Sequence, residues 1–99
     1  MTSKLRRGSG NLFTDLGFDA EKATNLQLRS DLMIELRKRF TAAATTQVQA
    51  ARVLGVTQPR VSDLYRGKIE RFSVDTLINW LGKIGADVRV IVRNKSRAA

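Results

Sequence analysis

TQVQAARVLGVTQPRVSDLYRG, residues 46–67, is the stretch whose reading decides the fold. From Gln47 to Leu54, the apolar or small residues Val48, Ala51 and Leu54 recur at helical spacing. Gly55 stands where a left-handed helix cap is easiest, because glycine has no Cβ to clash. Val56 fills the corner. Thr57 is the natural N-cap of a second helix that opens on Gln58, with Pro59 in its first turn, where a missing N–H costs no intrahelical bond. Val61, Leu64 and Tyr65 make the buried stripe of that helix, and Gly67 closes it. The polar residues Gln58, Arg60, Ser62, Asp63 and Arg66 remain outside. Two short helices about a tight turn, with such a face on the second, suit the base edges and phosphates of a major groove. An αα-hairpin inside an ordinary helical bundle is the plainer alternative.

Composition agrees with a polyanionic partner. The 99 residues hold 18 Lys and Arg against 9 Asp and Glu, a net charge of +9. That length allows one domain with a self-sufficient core. No stretch approaches the ~20 apolar residues of a membrane span. Lys4, Arg6 and Arg7 lead into GSGN, not an apolar signal-peptide segment, so a cytoplasmic protein is expected. Cysteine and histidine are both absent, which removes disulfides, thiolate or imidazole metal ligands and the usual nucleophile–base pairs. The acidic residues are scattered and suggest no metal site. Neither enzyme activity nor a cofactor is expected.

Outward from the motif, residues 1–11 read as a flexible basic arm, with phosphate tracking or minor-groove entry as the functional alternative. Leu12, Phe13, Leu16 and Phe18 form a small apolar cluster interrupted by Gly17, either a docked one-turn element or a patch for a partner protein. Asp19 caps a helix with Glu21 in its first turn. Leu26, Leu28, Leu32, Met33, Leu36 and Phe40 continue it as an amphipathic pattern, with Asn25 as a candidate bend. Arg37, Lys38 and Arg39 complement the C-terminal end of that helix. TAAATT then connects to Thr46, a hydroxyl N-cap for Gln47. Ser73 starts a last helix to Ile84, with Val74, Leu77, Ile78, Leu81 and Ile84 as core. Trp80 falls at the edge of that stripe, over the core margin or in a subunit interface. The segment 86–93 alternates β-branched residues with arginine and reads as a strand. A lone strand in a helical domain needs a partner for its backbone groups. Pairing with the same strand of a second copy answers that need, making a homodimer through Val88, Val90, Ile91 and Val92, with Trp80 as a further interface residue. The N-terminal segment is the competing intrachain partner. Residues 94–99 read as a flexible tail.

Residues 31–84, through the Gln47…Ala51…Gly55…Thr57-Gln58…Val61…Leu64…Gly67 order, resemble the lambda-repressor/Cro-like (XRE) family. The implied fold is mainly α: a lambda-repressor-like helix-turn-helix bundle over residues 12–93, here with a C-terminal β-strand for dimerisation. The resemblance implies a DNA-binding set. Gln47 would bond phosphate, and Gln58 would read adenine through its N6 and N7. By their own chemistry Arg60 would reach guanine or phosphate, and Thr57 (its cap role aside) and Ser62 would bind phosphate. Pro59 departs from many family members and offers only an apolar surface, suited to a thymine methyl. Asp63 would accept from cytosine N4 or orient Arg60 or Arg66. Lys68 and Arg71 in the following loop, and Arg39 at the end of the earlier helix, would touch the DNA backbone.

Over residues 10–93, the lead-in GNLFTDLGF, RFSVDTLINWL and the DVRVIVR segment also resemble the small HigA-like antitoxins of type II toxin–antitoxin modules. That likeness implies a homodimeric repressor of its own operon, bound to palindromic double-stranded DNA. It also implies a partner, a small basic RelE/HigB-like ribonuclease toxin, with residues 12–18 and 20–40 as the candidate toxin surface. The alternatives are a stand-alone XRE-family transcriptional regulator and a protein-interaction scaffold without specific DNA reading.

Overall fold

A computed structural model describes residues 11–94. The expected arm, apart from Asn11, and the tail, apart from Asn94, lie outside these residues. The described chain folds as five α-helices: α1 (Leu12–Asp15), α2 (Ala20–Ala42), α3 (Gln47–Leu54), α4 (Gln58–Tyr65) and α5 (Val74–Lys83). A single 3-10 turn, Ile69–Arg71, lies between α4 and α5. None of the described helices is long and apolar enough to cross a membrane.

α2 is the central element, and α5, α1, the 3-10 turn and α4 all pack on it. It starts where Asp19 Oδ1 accepts the Lys22 N–H at 2.8 Å, which satisfies a donor that has no intrahelical acceptor. It continues through Asn25 without a break. At Asn25, the candidate bend, helical bonding is unbroken, and Asn25 Oδ1 accepts from Arg29 Nε at 2.7 Å, one turn on. Leu32, Met33, Leu36 and Phe40 are buried against Ala50, Ala51 and Leu54 of α3, Val61 and Leu64 of α4, and Phe72, Leu77, Trp80 and Leu81. Two carboxylates, Asp31 and Glu35, are buried on the same helix. Each is compensated as a buried charge must be: Asp31 accepts from Gln27 Nε2 at 3.0 Å, and Glu35 pairs with Arg39 at 2.9 Å. Leu28, expected in the apolar pattern, is exposed instead.

The turn between α3 and α4 forms as its residues dictate. Thr46 and Gln49 make a reciprocal capping box at the start of α3. At its end Gly55 adopts φ +71 and ψ +34, and the Val56 N–H reaches back to Ala51 O at 3.0 Å. Lys83 Nζ, from α5, donates to Leu54 O at 2.8 Å and covers another terminal carbonyl. Val48 departs from the expected stripe. It is exposed, and the buried face of α3 is Ala50, Ala51 and Leu54.

The lead-in is a one-turn helix docked on α2. Asn11 accepts the Phe13 N–H and donates to Ala23 O at 3.1 Å, while the Phe13 and Phe18 rings meet edge to face at 6.2 Å. Leu12 and Leu16 nevertheless stay exposed.

Two expectations near the C-terminus are corrected. Trp80 is not at a surface: only 5% of it is exposed, and its ring meets Phe72 edge to face at 5.5 Å. It lies one turn before the α5 C-cap, Ile84, and three residues after Leu77, so it points inward with the core stripe. The expected C-terminal β-strand is absent too, because residues 86–94 carry neither helix nor strand. Val88 packs partly on the core, whereas Val90, Ile91 and Val92 are 71%, 72% and 88% exposed. A strand exists only through its ladder, and among the described residues nothing pairs with this segment.

Candidate nucleic-acid interface

The candidate face comprises the N-terminal end of α3, the outer side of α4 and the loop from Gly67 through the 3-10 turn. Its residues divide sharply by what their side chains already hold. Gln47, Thr57, Gln58, Pro59, Ser62, Arg66 and Lys68 have no side-chain hydrogen bond or ion pair with any described residue. Thr57 is the N-cap of α4, yet its hydroxyl makes no capping bond, and Pro59 sits in the first turn. Thr57, Gln58, Pro59 and Arg66 are exposed, while Gln47, Ser62 and Lys68 are half-buried. Their polar groups remain available to an external partner.

The other four expected residues are engaged internally. Arg60 lies inward: its guanidinium stacks 4.2 Å from the centre of the Phe72 ring and 5.5 Å from that of Trp80. Its Nη1 donates to Arg71 O at 2.6 Å. This placement differs from the expected role in base or phosphate reading. A planar cation over two electron-rich ring systems is held by their quadrupoles, and the carbonyl takes one prong of its fork. Asp63 orients neither Arg60 nor Arg66. It accepts instead from Arg71 Nη1 at 3.1 Å, across a pair whose side chains are 18% and 55% exposed respectively. Arg39 is paired with Glu35.

Three more cations tie the helices together: Arg29 and Lys83, expected in no role, and Arg37, expected only to complement the end of its own helix. Arg29 donates to Ile69 O at 3.3 Å and to Phe72 O at 3.4 Å. Arg37 donates to Tyr65 O at 3.3 Å, and Lys83 caps Leu54 as above. Together with Arg60 they cover carbonyls at the exits of α3 and α4 and around the 3-10 turn. Leu54 O and Tyr65 O are the last carbonyls of α3 and α4, which regular helical bonding leaves unsatisfied. Part of the net positive charge therefore serves the fold. No spacing in the sequence marks these four residues. Each acceptor is a backbone atom 11 to 43 positions away, and only tertiary structure brings it near.

No group of three or more acidic side chains suited to hold a metal occurs among the described residues. The interface is a surface of hydrogen-bond donors and acceptors.

Residues 12–93 match the family described as "Helix-turn-helix domain". Among solved structures, the chain is similar to a protein described as "Putative XRE Family Transcriptional Regulator". The two share 35% sequence identity over 79% of this chain and 88% of the other, with a TM-score of 0.72. No curated protein matches the sequence.

Proposed function

The chain belongs to the helix-turn-helix domain family, with an XRE-type regulator as its structural relative, and from that premise we propose that it is a sequence-specific DNA-binding transcriptional regulator. The observation that carries this reading is the division of the polar face. Gln47, Thr57, Gln58, Ser62, Arg66 and Lys68 are left unengaged along α3, α4 and the next loop, while the neighbouring cations are consumed by the fold. In the proposed complex α4 enters the major groove. Gln58 pairs with a base edge and Pro59 offers an apolar surface to a thymine methyl. Gln47, Thr57, Ser62, Arg66 and Lys68 bond phosphates and set the register. Arg39 adds its charge from the end of α2, and Arg60 supports α4 from behind instead of reading a base.

The protein acts as a homodimer on a palindromic operator, with two α4 helices about one DNA turn, ~34 Å, apart. Supporting the dimer is the row Val90, Ile91 and Val92, exposed in the protomer. Paired with a second copy, the segment 86–93 gains the ladder that it lacks alone. Trp80, being interior, takes no part. The finer reading is that of a cytoplasmic HigA-like antitoxin that represses its own operon and neutralises a small basic ribonuclease. It rests on the likeness over residues 10–93 and on the exposed apolar residues Leu12, Leu16 and Leu28. A stand-alone XRE-type regulator is the second reading, favoured by the likeness to a solved protein described as a transcriptional regulator.

The test is binding to the DNA upstream of the protein's own gene against a scrambled duplex, at two salt concentrations. A preference of ~10³ or more that survives added salt supports the specific regulator. Equal and strongly salt-sensitive binding defeats it and favours an interaction scaffold. Sedimentation of the free protein decides the dimer. Co-expression with the product of an adjacent gene for a small basic protein decides between antitoxin and stand-alone regulator.

A further inference from the structure

We infer that Asp63 restrains DNA binding through Arg71: its carboxylate holds the Arg71 guanidinium off phosphate and so limits attraction to DNA of any sequence. The inference rests on the duplex-binding reading above and deepens it. Asp63 stands on α4 at helical spacing from Pro59 and Arg66, on the proposed groove-facing side. A carboxylate there is repelled by a polyanion and, by itself, only weakens binding. The structure gives it a definite occupation. Its Oδ2 lies 3.1 Å from Arg71 Nη1.

Arg71 is also fixed at its other end. Its carbonyl accepts from Arg60 at 2.6 Å, and its N–H donates to Lys68 O at 3.0 Å. The side chain therefore leaves from a set point, and its fork is aimed at Asp63. Stability is a poor explanation for the pair. With the Arg71 side chain 55% exposed, such pairs contribute little. What the pair does change is the count of cations open to phosphate on this face. Non-specific affinity is almost wholly phosphate neutralisation, with a salt slope of about 0.9 per contact. Removing one contact lowers affinity for every sequence but leaves base reading by Gln58 untouched.

The test is a salt titration of binding to a random-sequence duplex of about 20 base pairs, long enough for two half-sites. Asp63→Asn should tighten binding about three- to tenfold at 0.1 M salt and steepen the log–log slope by about 0.9. In an Arg71→Gln background the same change should only relieve repulsion, with a smaller tightening and no steepening of the slope. Asp63→Glu, which keeps the charge, should behave as the native protein. Asp63→Ser, smaller and neutral, should repeat the Asp63→Asn shift, so a folding defect peculiar to one variant cannot mimic the result. Equal tightening with and without Arg71 would mean general repulsion and would overturn the inference. So would no tightening at all, or a slope already reduced by Arg71→Gln alone, which would place Arg71 on phosphate from the start. If the native protein binds no duplex, the premise itself falls, and that is read before any variant.

Discussion

Arg60→Ala separates a cation that supports the fold from one that reads DNA. The substitution removes the guanidinium stacked 4.2 Å from Phe72 and 5.5 Å from Trp80, together with the bond to Arg71 O at 2.6 Å. The partly desolvated stacking contributes about 1 kcal/mol. A bond from a charged donor, discounted for a half-buried site, adds about 1 kcal/mol. The expected loss is therefore about 2 kcal/mol. For a domain of this size it lowers Tm by roughly 8–16 °C. Denaturant unfolding followed by the fluorescence of Trp80, the single tryptophan, measures both the free energy and the change beside the ring. Arg60→Lys should recover less than half of the loss, since an ammonium neither stacks as a plane nor forks. Arg66→Ala, at an exposed and unpaired position, should stay within about 0.5 kcal/mol of the native protein. A loss for Arg60→Ala as small as that of Arg66→Ala would refute the supporting role. Undiminished stability with relaxed discrimination at a single base would make Arg60 a reader after all.

Gln58→Ala should cost about 1–3 kcal/mol on the cognate site and relax one base position, and an equal loss on random duplexes would remove its reading role. Lys68→Ala should weaken all sequences alike and reduce the salt slope by about one, as competition titrations would show. Gly55→Ala meets only Lys83 Nζ, at 4.0 Å, so its cost is the strain of φ +71, about 1–2 kcal/mol by thermal melting. Leu36→Ala, at a fully buried position, should cost about 2–5 kcal/mol. A loss below about 1 kcal/mol would contradict the packing of α2 on its neighbours.

The two helices of the motif, their caps and their turn were determined locally, and the sequence alone was enough to place them. Thr46, Gly55 and Ser73 act on N–H and carbonyl groups within a few residues, so spacing reveals them. The same holds for the inward positions Leu54, Val61, Leu64, Leu77 and Leu81, which helical periodicity brings to one side. Tertiary structure decided what periodicity cannot express. Trp80 is interior because Phe72, arriving from a separate loop, supplies the other half of its pocket. Arg60 and Asp63, polar and on an outer helix face, read as contacts for DNA. Their own partners, Phe72 and Arg71, lie 8 to 12 positions ahead and come within reach only when the 3-10 turn folds back on α4. For the same reason the alternation in residues 86–93 revealed a capacity for pairing but could not create a strand. A helix satisfies its backbone from within, whereas a strand depends on a neighbour that this segment lacks among the described residues of the protomer.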